Sequence, residues 1–332
     1  MHMAGNRPPS DLRLAHLPAH NLMSRVLVLL LDGVGLGSDD PDHNPFAAAH
    51  LPTLEALLDG RRLLASSAPH EGEHASLLAV DVCLNVDGTP QSATGQATLL
   101  TGRNIPSVIG GHYGPKPNPV ISKILLENNL FIEVTRRGGT AALLNAYPPR
   151  YFQSIHSGRR LYSTIPLAVT AAGLDLMTAE DLQAGRALSA DFTGAGWVAQ
   201  PDFPPAPVYP PKEAGAILAH LSLLYHLSWF DFWPTDYAGH RGTLAQAVTL
   251  LESFDAVLGG LVKAWGSRQD LIVLISDHGN LEDLTRRGHT LNPVPAILIG
   301  PKEMRRHFAS GLDDLTSFTP AVLRTIFGSD SL

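Results

Sequence analysis

Near the C-terminus, an apolar run ends in side chains that can bind a metal. The run covers 271–275, and Asp277 and His278 follow it almost at once. A second imidazole, His289, comes on the next loop. The run predicts a buried strand, and a carboxylate beside neutral imidazoles is a donor set that divalent metals accept. Taken alone, the stretch is equally compatible with a strand end that carries surface histidines.

Two other predicted strands end in the same way. The apolar run 25–31 leads directly to Asp32, and the aromatic run 227–233 is followed by Asp236 and His240. Each pair alone is explained by a turn or a surface histidine. In open α/β sheets, however, functional groups gather at the carboxyl ends of the strands. Three such sets at three strand ends therefore predict a single metal centre.

The glycines that follow Asp32 raise a second interpretation, a dinucleotide-binding loop. Their spacing is G-x-G-x-G instead of G-x-G-x-x-G, and the carboxylate stands before them. The dinucleotide fingerprint has the opposite order. We therefore prefer the metal site.

A hydroxyl-rich loop is the candidate for a nucleophile. The segment 90–103 places Ser92 and Thr94 ahead of a helical apolar pattern. Backbone N–H groups at a helix N-terminus favour anions. A hydroxyl there can cap the helix, or it can be a nucleophile whose pKa a metal lowers. The pattern leaves both roles open.

The charges of this set predict two divalent ions. Asp32, Asp236, Asp277 and one ionised hydroxyl would together carry about four negative charges, which two divalent cations neutralise. Two metals ~3.5–4 Å apart can bind a nucleophile and the oxygens of a transferred group. That suits phosphoryl transfer to or from a small phosphorylated substrate. Carboxylate, imidazole and hydroxyl ligands favour Mn²⁺ or Zn²⁺ over Mg²⁺.

The composition limits the possible partners. The chain has 332 residues, of which 44% are hydrophobic, and a net charge of −7, which argues against a nucleic-acid-binding surface. Its single cysteine, Cys83, allows no intramolecular disulfide, as is common in reducing compartments. No early apolar run approaches the ~20 residues that span a bilayer. We expect a cytoplasmic enzyme without membrane contact, and the sequence does not predict its oligomeric state.

The remaining pattern predicts an α/β core with an insertion. Helices are predicted at 51–58, 243–265 and 316–326, and a further strand at 294–300. We interpret 1–21 as an N-terminal extension, 22–103 and 206–332 as the core, and 104–205 as a smaller inserted cap domain. The alternative for the insertion is a loop region without a role in chemistry. Its basic residues are candidates for binding phosphate: Arg136, Arg137, Arg150, Arg159 and Arg160.

The combined motifs resemble the alkaline phosphatase superfamily, close to cofactor-independent phosphoglycerate mutases and phosphopentomutases. The matching stretches are Asp32-Gly33, Asp236-x-x-Gly239-His240, Asp277-His278-Gly279-Asn280 and His289-Thr-x-Asn292-Pro-Val-Pro295. The resemblance covers the predicted core and not the insertion. It implies an alkaline-phosphatase-like fold, with a doubly wound, mostly parallel sheet flanked by helices.

The resemblance also implies a role for each side chain. One metal would be bound by Asp236, His240 and His289, and the other by Asp32, Ser92, Asp277 and His278. Ser92 is the implied nucleophile because it stands three residues before Gly95 and ten before Gly102, as in the mutases. Thr94 is the runner-up. Gln96 departs from the mutases, which tend to have histidine there.

Three functions follow as hypotheses. The first is hydrolysis of a small phosphorylated metabolite through a phosphoserine on Ser92. The second is an intramolecular phosphomutase, in which the same phosphoserine returns its phosphoryl group to the bound product under a closed lid. The third, from another class, is a metal-binding protein without catalysis whose insertion is a partner surface.

Overall fold

A computed structural model describes residues 23–266 and 268–328. The predicted N-terminal extension, 1–21, lies outside the described residues. In the described chain the strands are β1 Val26–Leu30, β2 His70–Glu71, β3 Ala75–Val80, β4 Ala141–Leu143, β5 Leu227–Asp231, β6 Leu271–Ile275 and β7 Val294–Ile299.

Helices connect and cover these strands. In chain order they are α1 Pro45–Ala48, α2 Pro52–Leu57, α3 Ser92–Thr101, α4 Ile105–Ile109, α5 Pro119–Glu127, α6 Leu130–Arg136, α7 Pro149–His156, α8 Thr164–Ala171, α9 Ala179–Gln183, α10 Ala195–Val198, α11 Pro211–Ser222, α12 Pro234–Arg241, α13 Leu244–Trp265, α14 Lys302–Ala309 and α15 Phe318–Phe327. Short 3₁₀ turns lie at Ala65–Ser67 and Leu315–Ser317.

The strands form one mixed sheet in the order β2-β3-β7-β6-β1-β5-β4. Strands β4, β5, β1 and β6 are parallel neighbours, whereas β7 is antiparallel to both β6 and β3. Strand β3 therefore runs with the parallel group, and five of the seven described strands share one direction. The predicted mostly parallel sheet flanked by helices is confirmed.

The central strand β1 brings the three predicted strand ends together. Leu30, at its carboxyl end, lies opposite Asp231 of β5 on one side and Ile275 of β6 on the other. Because the three strands are parallel and in this register, the residues that follow them leave the sheet at the same edge. The three candidate metal-binding stretches are therefore neighbours.

The continuous apolar runs are explained by burial on both faces of the sheet. Val26, Val28 and Leu30 belong to one apolar core, which helices α3, α5, α6, α8 and α15 complete. Leu27 and Leu29 belong to the opposite core, with α2, α11 and α13. Alternate side chains of one strand thus pack into two layers, which fixes the strand against rotation and slippage.

The long helix α13 confirms the predicted helix at 243–265. Thr243 and Gln246 form a reciprocal capping box at its N-terminus. Among the described residues, α13 is the one helix long and apolar enough to cross a membrane by length and composition. Its residues Ala247, Leu251 and Leu258 are buried in the core, and it packs against α11, as the core helix of a globular domain does.

The aromatic run is shorter as a strand than predicted. Strand β5 ends at Asp231, and Trp233 is already the N-cap residue of α12. Pro234 explains the early change because proline is favoured at the first position of a helix and cannot extend a central strand. The final helix also begins two residues later than predicted, at Phe318. It follows a 3₁₀ turn in which Thr316 N donates to the Asp314 carboxylate.

The segment 104–205 is continuous with the sheet. Its strand β4 pairs with β5 at one edge, and Ile105, Leu125 and Phe131 lie in the same apolar core as β1. The segment thus buries its apolar side chains against the core helices and strands. The division into a core and an inserted cap stays a prediction.

Candidate active site

The predicted ligands are delivered by rigid elements at the carboxyl edge of the sheet. Asp32 follows β1, and Asp277 and His278 follow β6. Asp236 and His240 stand on α12 four residues apart, so they share one face of the helix. Ser92 is the first residue of α3, and His289 lies on the loop before β7.

The first half of the site surrounds the Nε2 atom of His278. This nitrogen lies 2.9 Å from Ser92 Oγ, 3.4 Å from Asp32 Oδ1 and 3.7 Å from Asp277 Oδ2. His278 and Asp277 are fully buried. Asp32 Oδ1 is buried without a hydrogen-bond partner. A buried, unpartnered carboxylate oxygen is costly, and a cation between these atoms would satisfy it.

The second half contains Asp236, His240 and His289. The Nε2 atoms of the two histidines are 3.2 Å apart, and they lie 3.4 Å and 3.7 Å from the carboxylate oxygens of Asp236. His240 Nδ1 is 3.0 Å from the Arg287 carbonyl, and His289 Nδ1 is 2.7 Å from the Pro90 carbonyl. Because a carbonyl only accepts, each Nδ1 carries the proton and each Nε2 presents its lone pair. Two facing lone pairs beside a carboxylate fit a bound cation.

The two halves adjoin through stacked imidazoles. The rings of His278 and His289 are nearly parallel, at 15°, with centroids 3.7 Å apart. His278 can complete a three-ligand set with Asp32 and Asp277, and also one with Asp236 and His289. The structure therefore brings all seven predicted metal-site residues into one cluster, in which two candidate ligand sets share His278.

The electrostatics of the cluster also fit bound cations. Burial, followed by the negative charge of Asp277, raises the pKa of Asp32 well above its usual range. Burial likewise raises the pKa of Asp277, and it lowers the pKa of His289 to about 4. A bound cation would oppose the first effect, because its positive charge favours the ionised carboxylates, and it would suit the second, because a neutral imidazole offers a lone pair.

Several glycines let the loops approach the ligands. Gly33 has φ 71°, and a Cβ atom there would lie 2.6 Å from Asp236 Oδ1. A Cβ at Gly95 of α3 would lie 2.5 Å from the Asp277 carbonyl oxygen. Only glycine permits both the backbone conformation at 33 and these close approaches.

Glu282 fixes three loops of the site, and sequence reasoning missed it. Its buried carboxylate accepts hydrogen bonds from Gly35 N at 2.9 Å, Asn280 N at 2.8 Å and Asn292 Nδ2 at 3.0 Å, and from the Thr290 hydroxyl. These donors come from the loops after β1 and β6 and from the loop of His289. An acid two residues after the Asp277-His278-Gly-Asn280 motif was the available signal, but its partners are distant in sequence.

The two candidate hydroxyls differ in their partners. The Thr94 hydroxyl donates to the Gln91 carbonyl at 3.0 Å and accepts from Tyr113 N at 3.2 Å. It thereby anchors the 111–116 loop to the start of α3. The Ser92 hydroxyl faces His278 instead. Gln96, the departure from the mutases, donates to Asp277 Oδ2 at 2.9 Å, so it orients a metal-site carboxylate.

The predicted arginines have different surroundings. Arg136 and Arg137 form ion pairs with Glu133. Arg150 lies 3.8 Å from Asp202 and stacks on Phe203. These contacts involve no metal-site residue.

Arg159 and Arg160 lie on the exposed turn after α7. The guanidinium of Arg160 lies 4.8 Å from the centre of the Tyr151 ring. Burial lowers the pKa of Lys116, and the charge of Arg160 adds to this effect. Lys116 is two residues from Gly114, which packs against the backbone of Ser92. Lys116 and Arg160 are thus close enough to interact electrostatically, and Lys116 was missed from sequence.

A fourth acid, Asp231, stands beside the cluster at the end of β5. Asn145 brackets its backbone, with Nδ2 donating to Asp231 O at 2.9 Å and Oδ1 accepting from Asp231 N at 2.8 Å. Burial, followed by the charge of Asp277, raises the pKa of Asp231 to about 8. The residue lay within the predicted aromatic strand, where nothing in the pattern distinguished it.

Known proteins support this interpretation of the site as a metal centre. Residues 212–326, which include five of the predicted ligands, match the model of the Metalloenzyme superfamily. The 2,3-bisphosphoglycerate-independent phosphoglycerate mutase of Symbiobacterium thermophilum is 32% identical over 103 residues, 29% of this chain and 20% of that protein. The same mutase of Thermomicrobium roseum is 33% identical over 107 residues, which are 30% of this chain and 20% of that protein. The matched segment thus spans about a fifth of these relatives.

A solved structure extends the likeness of fold to nearly the whole chain. The PH0037 protein from Pyrococcus horikoshii superposes with a TM-score of 0.56 at 15% identity, over 94% of this chain and 99% of that one. The predicted resemblance to the alkaline phosphatase superfamily and its phosphoglycerate mutases is confirmed. The Metalloenzyme superfamily match supports the binding of divalent metal ions.

We predict that the two metal positions can be emptied separately. Asp277→Asn should weaken ion binding by Asp32 and His278, because it removes a charged ligand. His289→Ala should weaken ion binding by Asp236 and His240, because it removes a lone-pair ligand. Elemental analysis after dialysis should give about one ion per chain for each variant and about two for the unaltered protein.

The matched control is Asp283→Asn, in the loop between the two ligands, which should keep about two ions. Loss of both ions in each single variant, with the fold intact by circular dichroism, would show one shared position instead of two.

Proposed function

We propose that this protein is a phosphoryl-transfer enzyme that hydrolyses a small phosphorylated metabolite through a phosphoserine on Ser92. The observation that carries the proposal is the position of the Ser92 hydroxyl. It lies 2.9 Å from His278 Nε2, at the N-terminus of α3 and within the cluster of metal ligands. A hydroxyl in that place can attack phosphorus while the helix N-terminus favours the phosphate's negative charge.

Each half of the site would hold one divalent ion for this reaction. Asp32, Asp277 and His278 would hold one divalent ion beside Ser92, and Asp236, His240 and His289 would hold the other. Bound divalent ions would polarise the phosphoryl oxygens and lower the pKa of the attacking hydroxyl or water. The donor set supports Mn²⁺ or Zn²⁺ over Mg²⁺ as the pair.

The assignment of Ser92 over Thr94 rests on their partners. The Thr94 hydroxyl is engaged with Gln91 and Tyr113, so attack would require it to leave both. Among the described residues, the Ser92 hydroxyl has one hydrogen-bond partner, His278 Nε2, which would itself bind an ion. Ser92 would therefore attack first, and water would then release the phosphate from it.

Lys116 and Arg160 are the cations proposed to bind the phosphate. Two divalent ions neutralise the protein ligands, so a phosphate dianion needs further positive charge. Lys116 is two residues from Gly114, which adjoins Gln91 and Ser92, and Arg160 is near enough to affect the pKa of Lys116. Of the five predicted arginines, Arg160 has the strongest support for this role. Phosphate binding by Arg159 is proposed only because Arg159 is next to Arg160 in the chain.

An intramolecular phosphomutase is the second candidate, and the relatives favour it. Segments of 103 and 107 residues of this chain are 32% and 33% identical to 2,3-bisphosphoglycerate-independent phosphoglycerate mutases. The same Ser92 would then return its phosphoryl group to the bound product. Product analysis separates the two, because stoichiometric release of free phosphate excludes mutase action. The single cysteine and the metabolic relatives support a cytoplasmic location for either enzyme.

We predict that Ser92→Ala abolishes turnover while both ions remain bound. The phosphoryl group would have no acceptor, and we expect kcat to fall by about 10³-fold or more. A panel of phosphomonoesters measured by phosphate release, with acid-quench trapping of phosphoserine, provides the assay. Thr94→Ser is the control and should keep turnover, because it retains the hydroxyl that anchors the 111–116 loop.

Full activity in Ser92→Ala would refute the nucleophile. Metal binding without activity on any phosphoester, in the unaltered protein, would favour a non-catalytic metal-binding protein.

We predict that Arg160→Ala raises KM for phosphoesters by about tenfold, the effect of losing one charge-assisted contact to phosphate. Arg136→Ala is the matched control, because its charge is paired with Glu133, and its KM should stay unchanged. Steady-state kinetics of both variants on the same substrate give the comparison. Equal effects of the two substitutions would remove Arg160 from the proposed phosphate site.

A further inference from the structure

Helix α12 carries a second functional stripe beside its metal ligands. Trp233, Tyr237 and Arg241 follow one another at intervals of four residues, so they share a face of the helix. Asp236 and His240 form the neighbouring stripe. The two stripes together with Asp32 line one open cleft. Whatever binds at the metal ligands therefore lies next to these three side chains.

The aromatic side chains of Trp233 and Tyr237 are largely exposed, although they line a cleft. Trp233 is 50% exposed and Tyr237 is 58% exposed. The other tryptophans of the chain, Trp197, Trp229 and Trp265, are buried. Large aromatic side chains that remain exposed in a polar cleft commonly mark a binding site.

Arg241 extends the ring surface and orients it. Its guanidinium carbon lies 5.8 Å from the centre of the Tyr237 ring, a cation–π distance. Within the described chain, Arg241 has no ion-pair partner. A planar group that stacks on Tyr237 or Trp233 could therefore also meet the guanidinium face.

We propose that Trp233, Tyr237 and Arg241 recognise the alcohol part of the substrate, and that this part carries a planar ring, such as a nucleobase or an aryl group. The inference rests on the proposed phosphoryl-transfer function. The phosphorus must lie among Ser92 and the metal ligands, so the ester's other substituent extends into the cleft along α12. Ring stacking on exposed aromatic side chains supplies affinity without requiring a particular hydrogen-bond pattern.

Selectivity between two classes of ester tests the proposal. The substrates are adenosine monophosphate and phenyl phosphate, which carry a ring, and glycerol phosphate, which carries none. The measured quantity is kcat/KM for each ring ester divided by that for glycerol phosphate. This ratio cancels any loss of metal or folded protein. Trp233→Ala and Tyr237→Ala should each lower it by about tenfold, the loss of one stacking contact.

Conservative and remote variants complete the design. Trp233→Phe keeps a ring and should keep most of the ratio. Leu224→Ala removes an exposed apolar side chain from the turn before β5, at the opposite edge of the sheet, and should leave the ratio unchanged. A drop with both ring esters indicates any planar ring, and a drop with adenosine monophosphate alone indicates a nucleobase. Unchanged ratios in both alanine variants overturn the proposal.

A second measurement does not depend on turnover. Because Trp233 is the exposed tryptophan, acrylamide quenching of intrinsic fluorescence reports mainly on it. Adenosine monophosphate should reduce that quenching in the metal-loaded Ser92→Ala protein, and glycerol phosphate should not. If adenosine monophosphate shields Trp233 but the unaltered enzyme releases phosphate from none of the esters, the proposed function is wrong and ring binding on α12 is supported. If all three esters are hydrolysed without shielding, the proposed function is supported and ring binding on α12 is wrong.

Discussion

Electrostatic repulsion among crowded acidic and imidazole side chains, at the carboxyl edge of the sheet, is the constraint on which the site depends. Asp32, Asp236 and Asp277 converge there, and burial together with this crowding raises the pKa of Asp32 and Asp277. The imidazole lone pairs of His240 and His289 face each other at 3.2 Å. Such a cluster is unfavourable by itself. Divalent cations bound there would turn this repulsion into attraction, because the same groups would be their ligands.

The fold holds this cluster because each ligand stands on a rigid element. Strands β5, β1 and β6 are buried on both faces, which leaves their ends little freedom. Glu282 ties the loops after β1 and β6 to the loop of His289. Positioning and neutralisation of charge are most of what phosphoryl transfer requires from a protein. The adjoining ring stripe on α12 is the surface that we propose to bind the alcohol part of the substrate.

The features that could be predicted from the sequence are those that follow from local apolar patterns and from the common direction of parallel strands. Apolar runs located β1 and β6, and parallel strands share a carboxyl edge, so the convergence of Asp32 and Asp277 could be foreseen. Contacts made by distant residues could not be foreseen. The contacts of Glu282 and Lys116 depend on tertiary packing that has no periodic signal. The ion pair of Arg136 with Glu133 is instead local, three residues apart on α6, and its spacing was an available signal. The start of α12 was missed because the aromatic run continues past Asp231 into its first turn.

Anomalous diffraction from crystals grown with Mn²⁺ tests the account most directly, because it locates the ions without requiring a substrate. The account predicts two anomalous peaks about 3.5–4 Å apart. One peak should lie among Asp32, Asp277 and His278, close to Ser92 Oγ, and the other among Asp236, His240 and His289. A single peak, or none with the histidine Nε2 atoms still facing each other, would contradict the two-ion site.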